Sequence, residues 1–230
     1  MQLILKRKTA LIAFLAFDAI VVVALVVLFL MRSERQNEVE LREIGVTVYA
    51  EARTLSDFRL LDQQGEFFTK DDFQDHWNLV FFGFTHCPDI CPLTMAELAQ
   101  FYDGLDFSQD VKPRVFLVTV DPGRDNPESM AAYLANFNEE FIGLSGDPDQ
   151  IAQLAAELYV GYGEADESEV AATSHDHDPS HNAAVETNDS YQIEHSAHIA
   201  VIDPQGDYYA VMRAPHRDRD LVSAFRQIAK

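Results

Sequence analysis

The chain has 230 residues, with 38 acidic against 17 basic side chains and a net charge of −21 at neutral pH. Such an acidic balance disfavours nucleic acid as a partner and leaves attraction for cations or a basic protein surface, or solubility in a salty environment, as its use.

The first 35 residues form a separate object. Leu11 to Met31 is apolar except for Asp18 and follows Lys6-Arg7-Lys8, which is long enough to cross a bilayer as one helix. A cleaved signal peptide carries an apolar region of about 7–15 residues before a small-x-small site. Here the apolar run continues to Met31-Arg32, so the segment reads as a retained anchor. Basic residues flank both ends, and the short N-terminal tail favours a cytoplasmic N-terminus. The expected topology is a single pass through the cytoplasmic membrane with the C-terminal body in the periplasm, where thiol pairs can persist oxidised. Asp18 is either a functional group inside the span or protonated and close to water. Residues 1–35 carry +3, from five basic and two acidic side chains, which leaves −24 on the rest. Residues 36–54 are polar and read as a juxtamembrane linker. Residues 55–230 are enough for one domain with a sizeable core.

Within that body, Phe58-Arg59-Leu60-Leu61 and Phe67-Phe68 flank Asp62-Gln63-Gln64-Gly65, a hairpin pattern. Leu79 to Phe84 is a buried strand. It runs into Cys87-Pro88-Asp89-Ile90-Cys91, which holds both cysteines of the chain, and then into a helix-like stretch from Leu93 to Leu98. Both sulfurs are expected at or inside the first helical turn, where unpaired N–H groups and the helix dipole favour the thiolate. Four residues apart on one face, the pair can close as a disulfide or chelate one soft metal ion; a buried structural pair is the plainer alternative. Arg114 to Val120 is a second apolar strand. Pro127 to Phe137 is a helix with Met130, Tyr133, Leu134 and Phe137 on one face, implying a parallel crossover. Phe141 to Leu144 is a short strand, and Asp147-Pro148 opens a helix through Leu158. Gly163 to Asp189 is acidic and polar, holds His175, His177 and His181, and reads as a long disordered loop. Ile199–Ile202 and Tyr208–Met212 surround Asp203-Pro204-Gln205-Gly206 as a second hairpin, and Asp218 to Ile228 is a closing helix. The order points to an α/β fold, a thioredoxin-like domain behind an N-terminal transmembrane helix, with the cysteines at the first strand-to-helix junction.

Two thiolates suit Cu(I), and an imidazole would complete a three-coordinate site. In a thioredoxin-like domain the loop entering the terminal hairpin faces the cysteine helix. His195 and His198 both lie there, and His198 also fits a packing role at the start of the strand.

The segments Gly83-Phe84-Thr85-His86-Cys87-Pro88-Asp89-Ile90-Cys91-Pro92, Val120-Asp121-Pro122-Gly123-Arg124-Asp125 and His195-Ser196-Ala197, followed by Ile202-Asp203-Pro204-Gln205-Gly206, resemble the Sco/SenC copper-chaperone family. These are thioredoxin-like proteins on one membrane helix that help metallate the dinuclear copper centre of cytochrome c oxidase. In the family, two cysteines and a histidine nine residues before the hairpin proline bind copper. Counting back from Pro204 gives His195, so the resemblance implies copper on Cys87, Cys91 and His195. It also implies a metallochaperone rather than an enzyme, with the copper-binding oxidase subunit as partner and other copper carriers or thiol reductases beside it. Relatives commonly have aspartate where this chain has Glu194. The histidine-rich loop looks longer than in typical relatives and is either a weak metal trap or a polar insertion. For Asp121–Asp125 the resemblance implies docking or site support, and the residues alone imply a turn with a local Asp–Arg pair. His86 would favour the Cys87 thiolate or stand as an exposed turn residue, and Trp77 reads as core or rim packing. The rival function is a thiol-disulfide oxidoreductase or redox sensor acting through the same pair. Its usual spacing has two intervening residues, and this chain has three.

Overall fold

The two apolar runs without alternation become the central strands β4 (Asn78–Gly83) and β5 (Arg114–Thr119). A parallel strand covered on both faces has no solvent side. Every residue of β4 is accordingly buried, and in β5 only Arg114 is not. The computed structural model describes residues 20–29, 32, 36–164 and 193–229.

β4 and β5 run parallel from Asn78 opposite Arg114 to Gly83 opposite Thr119, and β6 (Ile142–Ser145) is parallel to β5. The crossovers are α1 (Ile90–Asp103) and α2 (Pro127–Leu134), and α3 (Pro148–Glu157) follows β6. Both proline-led helices start where predicted, because Asn126 and Asp147 accept hydrogen bonds from first-turn N–H groups. α2 stops at Leu134, three residues short of the expected Phe137, whose ring still packs on Tyr133 with centroids 5.1 Å apart. The expected terminal hairpin is β9 (Ile199–Ile202) and β10 (Asp207–Met212), and α4 (Asp218–Ile228) closes the chain. Its turn is fixed by Asp203, whose carboxylate accepts from the N–H groups of Gln205 and Asp207 at 3.0 Å, and by Gly206 at φ +85. The other hairpin is β2 (Arg59–Asp62) with β3 (Phe67–Thr69), on the outer edge of β6. This is the thioredoxin-like α/β order, with helices between parallel strands and a final antiparallel hairpin.

Three strands were not foreseen. Residues 46–54, assigned to the linker, form β1 (Val46–Thr54), antiparallel to β10. β1 is an edge strand with only Val46 buried, so its polarity reflects a wet edge rather than a tether. The domain therefore begins at Gly45 and not at residue 55. The full sheet has eight strands in the order β1-β10-β9-β4-β5-β6-β2-β3. A separate ribbon of β7 (Tyr162–Glu164) and β8 (Ile193–His195) takes in Gly163 and Glu164, the first residues of the expected loop, and also His195. Residues 165–192, with His175, His177 and His181, lie outside the described residues.

Residues 1–44 form their own unit. Residues 20–29 and 36–43 are helical, and Ile20, Val23, Leu25 and Phe29 expose their apolar side chains. Among the described residues no helix is long and apolar enough to cross a membrane. Residues 11–19, 30 and 31 of the expected span, Asp18 among them, lie outside the described residues.

Candidate metal centre

β4 ends at Gly83, and the chain turns before α1, with the Cys87 N–H donating to the Phe84 carbonyl at 3.2 Å. Cys87 thus lies in the turn ahead of the helix, while Cys91 is the second residue of α1. Of the two sulfurs expected at or inside the first helical turn, that of Cys91 lies inside it, and Cys87 stands two residues before the N-cap Asp89. No disulfide joins the two, and the Cys87 side chain lies near enough to act on the ionisation of Cys91. Cys87 is half-buried and Cys91 is fully buried. Gly83 makes the seat for Cys91: a Cβ there would stand 2.9 Å from the Cys91 Sγ, 3.0 Å from the Phe81 ring and 3.2 Å from Leu117.

That burial reverses the expected acidity of Cys91. Loss of water pushes its thiol up, the Cys87 side chain adds to the rise, and the backbone of Phe84 opposes it. The nearby charges of Cys87 and Asp125 raise it further. Helix position is therefore outweighed by desolvation. A soft cation would supply the positive charge this pocket withholds, so the pair suits a metal better than it suits a solvated thiolate.

The turn is held from below by Asp125, whose side chain is fully buried. One carboxylate oxygen accepts from the Thr85 N–H at 2.9 Å and the Thr119 hydroxyl at 2.7 Å, and the other accepts from the Thr85 hydroxyl at 2.5 Å. The Thr119 hydroxyl in turn accepts from the Asp121 N–H at 2.9 Å. Asp121 pairs with the Arg124 guanidinium, which lies 5.8 Å from the centre of the Phe84 ring. Both sequence readings of Asp121–Asp125 thus have a place: a local Asp–Arg turn, and a carboxylate that supports the cysteine loop. The half-exposed His86 ring shares Thr85 with this network, with Nδ1 2.9 Å from the Thr85 hydroxyl.

Strand order places His195 at the same end of the sheet. β9 is antiparallel to β4 with Ile199 opposite Phe81, so residues leading into β9 lie where β4 delivers the cysteine turn. His195 pairs with Tyr162 across the ribbon, and its side chain lies outside the described residues. Among the described residues no three His, Cys, Asp or Glu side chains are grouped to hold a metal. The segment after His195 is tied down at each residue. The Ser196 N–H donates to the Gly161 carbonyl at 2.8 Å, the Gly161 N–H donates to the Ser196 hydroxyl at 3.1 Å, and the His198 Nε2 lies 3.1 Å from the Leu158 carbonyl. His198 is therefore a packing residue, as its position suggested. The His216 Nε2 lies 2.6 Å from the Ala197 carbonyl, a contact the sequence did not signal because it joins separate loops. Trp77 is half-buried at the rim against Tyr209 and Phe225.

The SCO1/SenC family model matches residues 47–230. The mitochondrial SCO2 homolog of Bos taurus is 35% identical over 182 residues, which are 76% of this chain and 62% of that protein, so the chain spans somewhat less than two thirds of that relative. Among solved structures, Bradyrhizobium japonicum ScoI with copper bound is 28% identical, covering 76% of this chain and 98% of that one with a TM-score of 0.59. Arabidopsis thaliana ScoI with copper bound is 25% identical, covering 75% and 96%, with a TM-score of 0.62. With the match running from β1 to the C-terminus on a sheet of the same kind, the chain belongs to the SCO1/SenC family.

Proposed function

We propose that the protein is a membrane-anchored copper metallochaperone in which Cys87, Cys91 and His195 hold one copper ion as cargo. The observation that carries this reading is the pair of free cysteines, Cys87 half-buried and Cys91 buried against Gly83, at the sheet end where the His195 segment arrives. Two thiolates and an imidazole form a donor set suited to copper in either oxidation state. Support comes also from the two ScoI structures, both with copper bound. The ion passes to the copper-binding subunit of cytochrome c oxidase by ligand exchange, entering and leaving on the Cys87 side. Copper carriers that load the site and thiol reductases that reopen the pair are the other partners of this reading. Loading requires the open dithiol, so the redox state of the pair gates the cargo. The segment 11–31 is the anchor, and the acidic body faces the periplasm.

One observation favours the thiol-exchange reading as a companion activity. A half-exposed Cys87 beside a buried Cys91 has the asymmetry of an attacking and a resolving thiol. His195 separates the two. When the copper-loaded full chain in detergent is mixed with the metal-free oxidase subunit, the wild type should transfer copper and His195→Ala should not. A His195→Ala protein that reduces the oxidase cysteines but carries no copper is expected; one that still delivers copper would defeat the assignment of His195.

A further inference from the structure

Ile199, opposite Phe81, is the first residue of β9 that the sheet holds against β4, so the three residues between it and His195 have no place in that ladder. Their hydrogen bonds decide where the His195 backbone stands relative to the cysteines. Ser196 and His198 tie this arm to the chain after α3, through Gly161 and Leu158. Ala197 is tied elsewhere: its carbonyl lies 2.6 Å from Nε2 of the half-buried His216. A carbonyl accepts, so Nε2 carries the hydrogen and donates it. His216 stands two residues ahead of α4, and the Asp218 N–H that opens this helix donates to the Glu97 carboxylate at 2.7 Å. Glu97 belongs to α1, the helix that carries Cys91. Beyond this bond α4 packs on α1: the Phe101 and Phe225 rings meet edge to face with centroids 5.6 Å apart, and a Cβ on Gly104 would stand 3.1 Å from the Val222 Cγ2. The cysteine helix, Glu97, the start of α4, His216 and Ala197 therefore form a continuous series of contacts that ends two residues from His195.

We propose that His216 is a positioning residue for the copper site: rooted at the start of a helix bonded to the cysteine helix, its Nε2–H holds the Ala197 carbonyl and so sets the His195 backbone against Cys87 and Cys91. The assignment rests on the copper-site reading for its effect on the metal, and on the Ala197 bond alone for its effect on the arm. Without that bond the Ala197 carbonyl turns to water, and the arm is left to its anchors at Gly161 and Leu158, neither of which belongs to the cysteine helix. A metal site binds more weakly when a ligand is not held in place beforehand, so a looser His195 segment lowers copper affinity.

The test uses the full chain in detergent as wild type, as His216→Gln, which keeps an N–H donor, as His216→Leu, which removes it, and as Arg226→Ala, which breaks the Asp110 ion pair further along α4. Without metal, hydrogen exchange at the Ser196 amide, bonded to Gly161, reports on the arm. It should speed up about fivefold in His216→Leu, the size of one ordinary hydrogen bond, and stay within about twofold of the wild type in His216→Gln and Arg226→Ala. With metal, Cu(I) affinity from competition with a colorimetric chelator should fall about fivefold in His216→Leu, the sulfur-to-copper(II) absorption band should shift, and His216→Gln should restore both. Glu97→Ala frees the Asp218 N–H without touching the arm and serves if His216→Leu does not fold. It should speed Ser196 exchange in the same direction, and unchanged exchange there would cut the cysteine helix out of the series and overturn the proposal. A His216→Leu protein with wild-type affinity and band overturns it while the copper site stands. So does an Arg226→Ala protein that loses as much affinity as His216→Leu, since the effect would then be a general loosening of α4. If the wild type takes up no copper, the copper-site reading fails and Ser196 exchange alone decides on His216: faster exchange in His216→Leu upholds its hold on the arm, and unchanged exchange rejects it.

Discussion

Gly83 and Asp125 decide where the cysteines sit. Gly83→Ala forces a Cβ into the space of the Cys91 sulfur and the Phe81 ring. Overpacking of this kind costs about 1–3 kcal/mol, and the sulfur moves as well. Denaturant titration should show that loss of stability, and copper affinity should fall beyond it; a variant with wild-type affinity would mean that Cys91 has room to retreat. Asp125→Ala leaves the Thr85 N–H and the Thr119 hydroxyl facing an apolar gap. A loss of about 3 kcal/mol is expected from charged hydrogen bonds of this number and burial. The cysteine pair was legible because both cysteines fall within five consecutive residues. The role of Asp125 was only half legible, since its turn was visible but its bond to Thr85 spans 40 residues of chain. Nor was the raised pKa of Cys91 visible, because helix position can be read locally and burial against Gly83 cannot.

At the scale of elements, the segment from β8 to β9 works as a clamped arm. His198 and His216 fasten it to the Leu158 carbonyl and from the far side of β10, and burial, ahead of their other neighbours, lowers both imidazoles below the usual 6.5. The folded protein keeps them neutral, while the unfolded chain takes up protons below about pH 6.5. The unfolded state then binds more protons, so their contribution is complete above that pH and is lost as pH falls toward the folded values. Denaturation midpoints should therefore drop between about pH 7 and pH 5, and His216→Gln should flatten the drop. An identical slope in the variant would remove His216 from this account. β1 offers a second test. A chain beginning at residue 55 loses the β1 partner of β10 and the Tyr49–Tyr208 hydroxyl contact of 3.1 Å. It should unfold earlier and self-associate more than one beginning at Gly45, because β10 becomes an open edge. β1 escaped sequence reading because edge strands carry polar residues, as linkers do. β7 and β8 escaped it because each has three residues and pairs across a long insertion.

For the molecule as a whole, strand order proved the more legible property. Parallel apolar strands, proline-led helices and the Asp203–Gly206 turn each have local causes, and together they specify the sheet. What joins distant segments had to come from the fold: the Thr85–Asp125 support and the arm fixed by His216. The histidine-rich insertion leads out of β7 and back into β8, yet the proposed cargo site needs none of its histidines. Replacing His175, His177 and His181 by alanine should leave the tight copper equivalent unchanged; a fall from two tight equivalents to one would place a second site in the insertion.

The central claim is that two cysteines and one distant histidine make a single copper site. It is tested most directly by copper titration of the full chain in detergent, followed by absorption and electron paramagnetic resonance, for the wild type, Cys87→Ser and His195→Ala. The wild type should bind about one copper with a sulfur-to-copper charge-transfer band, as a Cys–Cys–His donor set requires, and both variants should lose it. Unchanged stoichiometry and spectrum in the two variants would contradict the account.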